Sequence, residues 1–121
     1  MKLKITKLKI TIDNNIHFAT LEDNNTAKDF LALLPLSVKL SDYNNTEKVT
    51  TKLSKKLSTS DDSFTPKIGD ITYYSPWGNL ALFYRGFHPS SGLYKIATFD
   101  DMPVDVFASN KTIQIKFELS N

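Results

Sequence analysis

The chain has 121 residues, of which 40% are hydrophobic and 23% charged, a balance that suits one globular domain with a full core rather than a disordered chain. Fifteen basic residues against thirteen acidic ones leave a formal charge of +2, so no strong field marks a nucleic-acid or membrane-surface binder. The absence of cysteine excludes disulfides and thiolate–metal sites, and no apolar run reaches the roughly 18 residues of a membrane span.

Met1 to Thr6 alternates charge with hydrophobe, whereas a signal peptide needs a continuous apolar stretch of about 7–15 residues. The expectation is a cytoplasmic protein. Leu3 and Ile5, then Leu8, Ile10 and Ile12, alternate with a change of parity between them, as a bulged first strand or a short lead-in would. Asp13-Asn14-Asn15 reads as a turn and His17 to Leu21 as the returning strand. A helix starts near Asn25 or Thr26, where Thr26-Ala27-Lys28-Asp29 has the form of a capping box. Ala27, Phe30, Leu31 and Leu34 give it one apolar face, and Pro35 stops it.

Leu36, Val38 and Leu40 alternate with polar residues as a half-buried strand. Asp42-Tyr43-Asn44-Asn45 is turn chemistry. Val49 to Leu53 predicts a short strand, and residues 54–67 a long exposed loop. Ile71 to Tyr74 is the next strand, Ser75-Pro76-Trp77-Gly78-Asn79 a tight loop, and Leu80 to Tyr84 a continuous apolar strand buried on both faces. His88 to Gly92 forms another loop before a strand at Leu93 to Thr98. Pro103 opens a short helix over 104–108. Ile113, Ile115, Phe117 and Leu119 alternate along the last strand. Seven or eight short strands joined mostly by turns predict antiparallel pairing in a barrel or sandwich with two helices.

Residues 73–94 concentrate the chemistry: the sole Trp, the sole Arg, four of the five Tyr and one of the two His. Aromatics with polar tips beside one guanidinium suit a recognition surface, although the same residues could plug a barrel core. Tyr74, Trp77, Asn79, Phe83, Tyr84, Arg85 and Tyr94 are the candidate binding residues. Trp77 stands on a loop too tight to bury an indole easily. Asn79 serves the turn or reads a peptide backbone, and Arg85 anchors an anion or ends a strand.

His17 and His88 share no metal-ligand spacing, and a lone His88 lacks an acid–base partner. Asp61-Asp62 and Asp100-Asp101 are sequence neighbours that point apart, so they make poor dyads. No phosphate loop or nucleophile elbow is present. Lys52, Lys55 and Lys56 read as a solubility patch, and three Asn-x-Thr sequons as chance in an Asn-rich chain. The residues call for no cofactor or metal.

Three segments carry a resemblance that runs from about Lys7 to Leu119. They are Ala19 to Pro35, then Gly69-Asp70-Ile71-Thr72-Tyr73-Tyr74-Ser75-Pro76-Trp77-Gly78-Asn79-Leu80-Ala81-Leu82-Phe83-Tyr84, and Lys95 to Met102. Together they resemble the cyclophilin-like domains, more closely a group of small bacterial ones. The resemblance implies one domain over 1–121, mainly β: a closed barrel of about eight strands with one or two capping helices. It also implies a face that, in true cyclophilins, holds a proline-containing peptide and isomerises its prolyl bond across a barrier of roughly 18–20 kcal/mol. Phe83 falls where the proline-pocket Phe would lie. The family's Phe-His-Arg-Val-Ile segment has no counterpart, and Lys39 and Lys48 do not match it. Lysine substitutes poorly for a planar guanidinium. The resulting expectation is a binding module for a peptide or small molecule without efficient catalysis. A prolyl isomerase and a small-molecule enzyme using His88 are the alternatives. The protein is expected to be a monomer, with a dimer through an exposed strand open.

Overall fold

The computed structural model describes residues 6–43, 45–59, 65–86, 91–109 and 111–120. Strand β1 (Lys7–Ile12) turns through Asp13 and Asn14, both at positive φ, into β2 (Asn15–Leu21). Two consecutive left-handed residues make the tight turn whose twist matches a hairpin, and Asp and Asn tolerate that region. Ile12 pairs with Asn15, so the hairpin loop is two residues long. The parity change before Leu8 falls on residues 1–5, outside the described residues.

Helix α1 spans Asn25–Leu31, and its cap differs from the expected box. The Asn24 side chain accepts from Ala27 N at 2.7 Å, while Asn24 Nδ2 donates to Lys95 O at 2.9 Å and ties the helix to the barrel. Thr26 and Asp29 serve a different partner: both bond to Ser58. The expected exposed loop is therefore partly docked, with Leu53 and Leu57 buried against the core. Residues 60–64 of that loop lie outside the described residues.

Strand β3 (Leu36–Tyr43) runs through Asp42 and Tyr43, which turn chemistry had assigned to a loop; the turn itself comes later, at Asn45 with φ 58°. Strand β4 is Glu47–Val49, earlier than expected. Beyond Val49 the chain follows a different neighbour, since Thr50 N donates to Leu80 O at 3.0 Å and Leu53 N to Gly78 O at 2.8 Å. Then come β5 (Asp70–Tyr74), β6 (Asn79–Phe83), β7 (Leu93–Phe99), helix α2 (Val104–Phe107) and β8 (Ile113–Ser120).

All pairings are antiparallel, and the sheet closes in the order β1-β2-β7-β5-β6-β4-β3-β8. Each described strand has a neighbour on both sides, although β3 meets β4 only over Ser41 to Tyr43. Alternate residues point inward: Leu8, Ile10, Leu40, Ile71, Tyr73, Leu80, Leu82, Ile96, Ile115 and Phe117 fill the interior. Each helix adds one buried ring. Phe30 of α1 meets Phe117 edge-on at 5.3 Å, and Phe107 of α2 meets Phe99 at 5.6 Å. Burying such a ring is worth about 1.5–3 kcal/mol. Strand β6 is buried on both faces, as its unbroken apolar run required. Its outer side chains, Ala81 and Phe83, form a second cluster with Leu93, Val49 and Tyr74.

Candidate functional site

This outer cluster supports an aromatic surface. Tyr74 ends β5 and leads into the 75–78 loop. Gly78, at φ +66°, returns its N–H to Tyr74 O at 2.8 Å, and Ser75 N donates to Gly92 O at 2.8 Å. Gly92 is at φ +87°, and a Cβ there would stand 2.9 Å from the Pro76 ring. Only glycine fits both the backbone and the contact. The loop thus held presents Trp77 between two tyrosines. Its ring lies 5.5 Å from Tyr74 and 5.7 Å from Tyr43, both edge-on at 82° and 88°. Trp77 remains 52% exposed and Tyr43 39%.

A groove of about 540 Å³ opens where β3 and the chain after β4 part. Ser37, Lys39 and Ser41 line one side, and Val49, Thr50 and Thr51 the other. The second wall is stapled to β6. Thr50 Oγ1 accepts from Leu80 N at 3.0 Å and donates to Thr51 O at 2.7 Å, and Asn79 Nδ2 donates to Thr50 O at 2.9 Å. Asn79 Oδ1 is buried and accepts no hydrogen bond. An unmet buried acceptor costs about 1–3 kcal/mol.

On the inner side, a polar knot packs beside the core. Lys48 is fully buried, and its Nζ donates to Ser109 O at 2.7 Å and Lys111 O at 2.9 Å, with Asp42 Oδ1 at 3.6 Å. Asp42 Oδ1 also accepts the Tyr84 hydroxyl. Burial first, then donation to this carboxylate, pushes the Tyr84 hydroxyl up to about 12. Glu47 is buried too, and burial with the nearby Asp42 charge raises its carboxyl to about 7. The Arg85 guanidinium lies 5.8 Å from the Tyr84 ring centre, in cation–π range.

A second cleft, of about 700 Å³, lies between α1, β7 and the chain leading into β5. Tyr94 lines it with acids Glu22, Asp23 and Asp70 and with Lys28, Lys67 and Lys95. Lys95 pairs with Asp70 at 3.4 Å. Among the described residues no group of three or more His, Cys, Asp or Glu is placed to hold a metal ion, and no helix is long and apolar enough to cross a membrane.

The seven candidate residues therefore do not share one surface. Tyr74 and Trp77 stand on the outer aromatic face. Phe83 and Asn79 are buried beside it. Tyr84 belongs to the inner knot with Arg85 over its ring, and Tyr94 lines the separate polar cleft. His17 is half-buried on β2, and His88 lies outside the described residues. Sequence reasoning missed Tyr43, whose place in a turn-like run hid its strand position, and the pairing of half-buried Asp42 with buried Lys48.

An all-antiparallel eight-stranded barrel with two short helices defines the class. The cyclophilin-like family model matches residues 10–118, and the chain belongs to that family. It is similar in fold to the hypothetical protein AF2241 from Archaeoglobus fulgidus, solved in solution, with a TM-score of 0.65 and 16% identity over 99% of this chain and 100% of that one. No curated protein matches by sequence.

Proposed function

We propose that this chain is a cyclophilin-like binding module that holds a peptide or small molecule against Trp77, without efficient catalysis. The observation that carries it is Trp77 itself: a half-exposed indole kept in one orientation by two edge-on tyrosines. Such contacts are worth about 0.5–1.5 kcal/mol each, so the surface is ordered before a ligand arrives. Aromatic rims of this kind also read proline-rich segments. Two features weigh against isomerase chemistry. Phe83 is packed under the outer cluster rather than open to a proline ring, and the only arginine, Arg85, stacks on Tyr84.

Because Trp77 is the only tryptophan, its emission reports on the face directly. Short proline-containing peptides and aromatic fragments are titrated against wild type, Trp77→Ala and Tyr43→Ala, with binding read by NMR for the variant lacking the indole. Binders weakened about tenfold or more in both variants support the reading. Binders indifferent to both variants overturn it. NMR exchange between the cis and trans signals of an Xaa-Pro peptide should stay at the uncatalysed rate.

A further inference from the structure

The aromatic face adjoins an unusual opening in the barrel wall. Strand β3 pairs with β8 from Leu36 to Leu40, but with β4 only from Ser41 to Tyr43. After Val49 the chain keeps to β6, so among the described residues no backbone bond reaches residues 36–40 from that side. In an antiparallel strand, alternate N–H and C=O groups point to each neighbour. Those of residues 36–40 that face away from β8 border the 540 Å³ groove. Residues 49–51 form the far wall of the gap.

From this we infer that the groove takes one extended segment of an acidic partner polypeptide, added as a strand along β3 residues 36–40. The inference rests on the binding role assigned to the Trp77 face, which would grip a side chain of the same segment. Main-chain hydrogen bonds supply the affinity in this mode, and flanking pockets select side chains. Four residues of the segment span about 13 Å, matching the run from Ser37 to Leu40. The sign of the partner follows from the walls. Lys39 is the one charged residue lining the groove, no carboxylate lines it, and the other lining side chains are Ser, Thr and Val. Lys116 stands opposite Ser37 on β8, where it also pairs with Glu118 at 3.7 Å, and Lys52 lies against Gly78 on the far side. Acidic side chains on the segment would meet these lysines.

The probe is the hexapeptide acetyl-Glu-Val-Glu-Tyr-Glu-Val-amide, added to the 121-residue chain and followed by amide NMR and hydrogen exchange. A second copy of the peptide carries N-methyl groups on alternate amides, which keeps the side chains and removes strand donors. The expected result is shifted amides at 37–41 and 49–51, exchange slowed about tenfold at those amides of residues 36–40 that face away from β8, and binding weakened about tenfold by N-methylation and several-fold by Lys39→Glu. Equal binding of both peptides, with shifts confined to Tyr43, Tyr74 and Trp77, overturns strand addition and leaves the aromatic face standing. No shift of residues 36–41 at millimolar peptide also overturns it, because backbone pairing tolerates many sequences. A doubled mass of the protein on sedimentation with peptide absent, and protection at 36–40, would assign the edge to a second copy and overturn the acidic segment.

Discussion

Lys48 shows how a single residue can commit a region of the barrel. A lysine without solvent contact survives only when its protons are taken up, and here two main-chain carbonyls and the Asp42 carboxylate surround it. Lys48→Met keeps the aliphatic volume but leaves those acceptors unmet. It should lower stability by about 3–5 kcal/mol, measured by urea unfolding. Glu47, one residue earlier, has its carboxyl raised to about 7 by burial and by Asp42. A carboxyl that is harder to ionise when folded favours the folded state while protonated. That contribution is complete below the unfolded value near 4.5 and is lost as pH rises through about 7. Wild type should therefore lose about 2 kcal/mol between pH 5 and pH 8 from this group, allowing for partial solvent screening of the carboxyl, and Glu47→Gln should flatten the decline in urea titrations at the two pH values. Asp100 works the other way. Hydrogen bonds from Lys7 and Thr20 hold its carboxyl below the usual value, so its contribution fades only as pH falls through the acid range.

Among the elements, the loop between β5 and β6 decides where the exposed indole stands. It folds back because Gly78 and Gly92 both occupy left-handed backbone and because the Pro76 ring rests on Gly92. Gly92→Ala adds both strain and a collision. It should cost about 2 kcal/mol and move Trp77 off its tyrosines, seen as a shifted emission maximum. Helix α1 teaches a related lesson. Its expected capping box at Thr26 and Asp29 is local chemistry, and Asn24 lies just as close in sequence. What separates them is the chain around Ser58, which engages both Thr26 and Asp29 and leaves the cap to Asn24. A pattern of three or four residues cannot register a partner that far along the chain.

At the scale of the whole molecule, closure of the sheet makes each strand depend on two neighbours. β1 pairs with both β2 and β8, which brings the two ends of the chain together. Unfolding should be one cooperative step, with tryptophan emission and far-ultraviolet dichroism giving the same midpoint. Trp77→Ala should leave the dichroism midpoint within about 1 kcal/mol of wild type, because a half-exposed loop residue contributes little to the core. Binding at the aromatic face and stability of the barrel are thus separable, which makes the face open to mutational dissection.

Side-chain parity is a local property, so most of the strands, the double burial of β6 and the barrel class were legible from alternation and from the family resemblance together, while β4 and the end of β3 were misplaced. The aromatic richness of residues 73–94 was legible too. Its division into an outer face, a buried cluster, an inner knot and a polar cleft was not, because neighbouring aromatics on a strand go to opposite sides and strand order is set by pairing between distant segments. Tyr43 reaches Trp77 only because β3 and β4 lie beside β6 in the closed sheet, and the groove exists only because β4 leaves β3 after three pairs. Those are long-range backbone contacts, and the free energy that selects them belongs to the assembled barrel rather than to any segment of the chain.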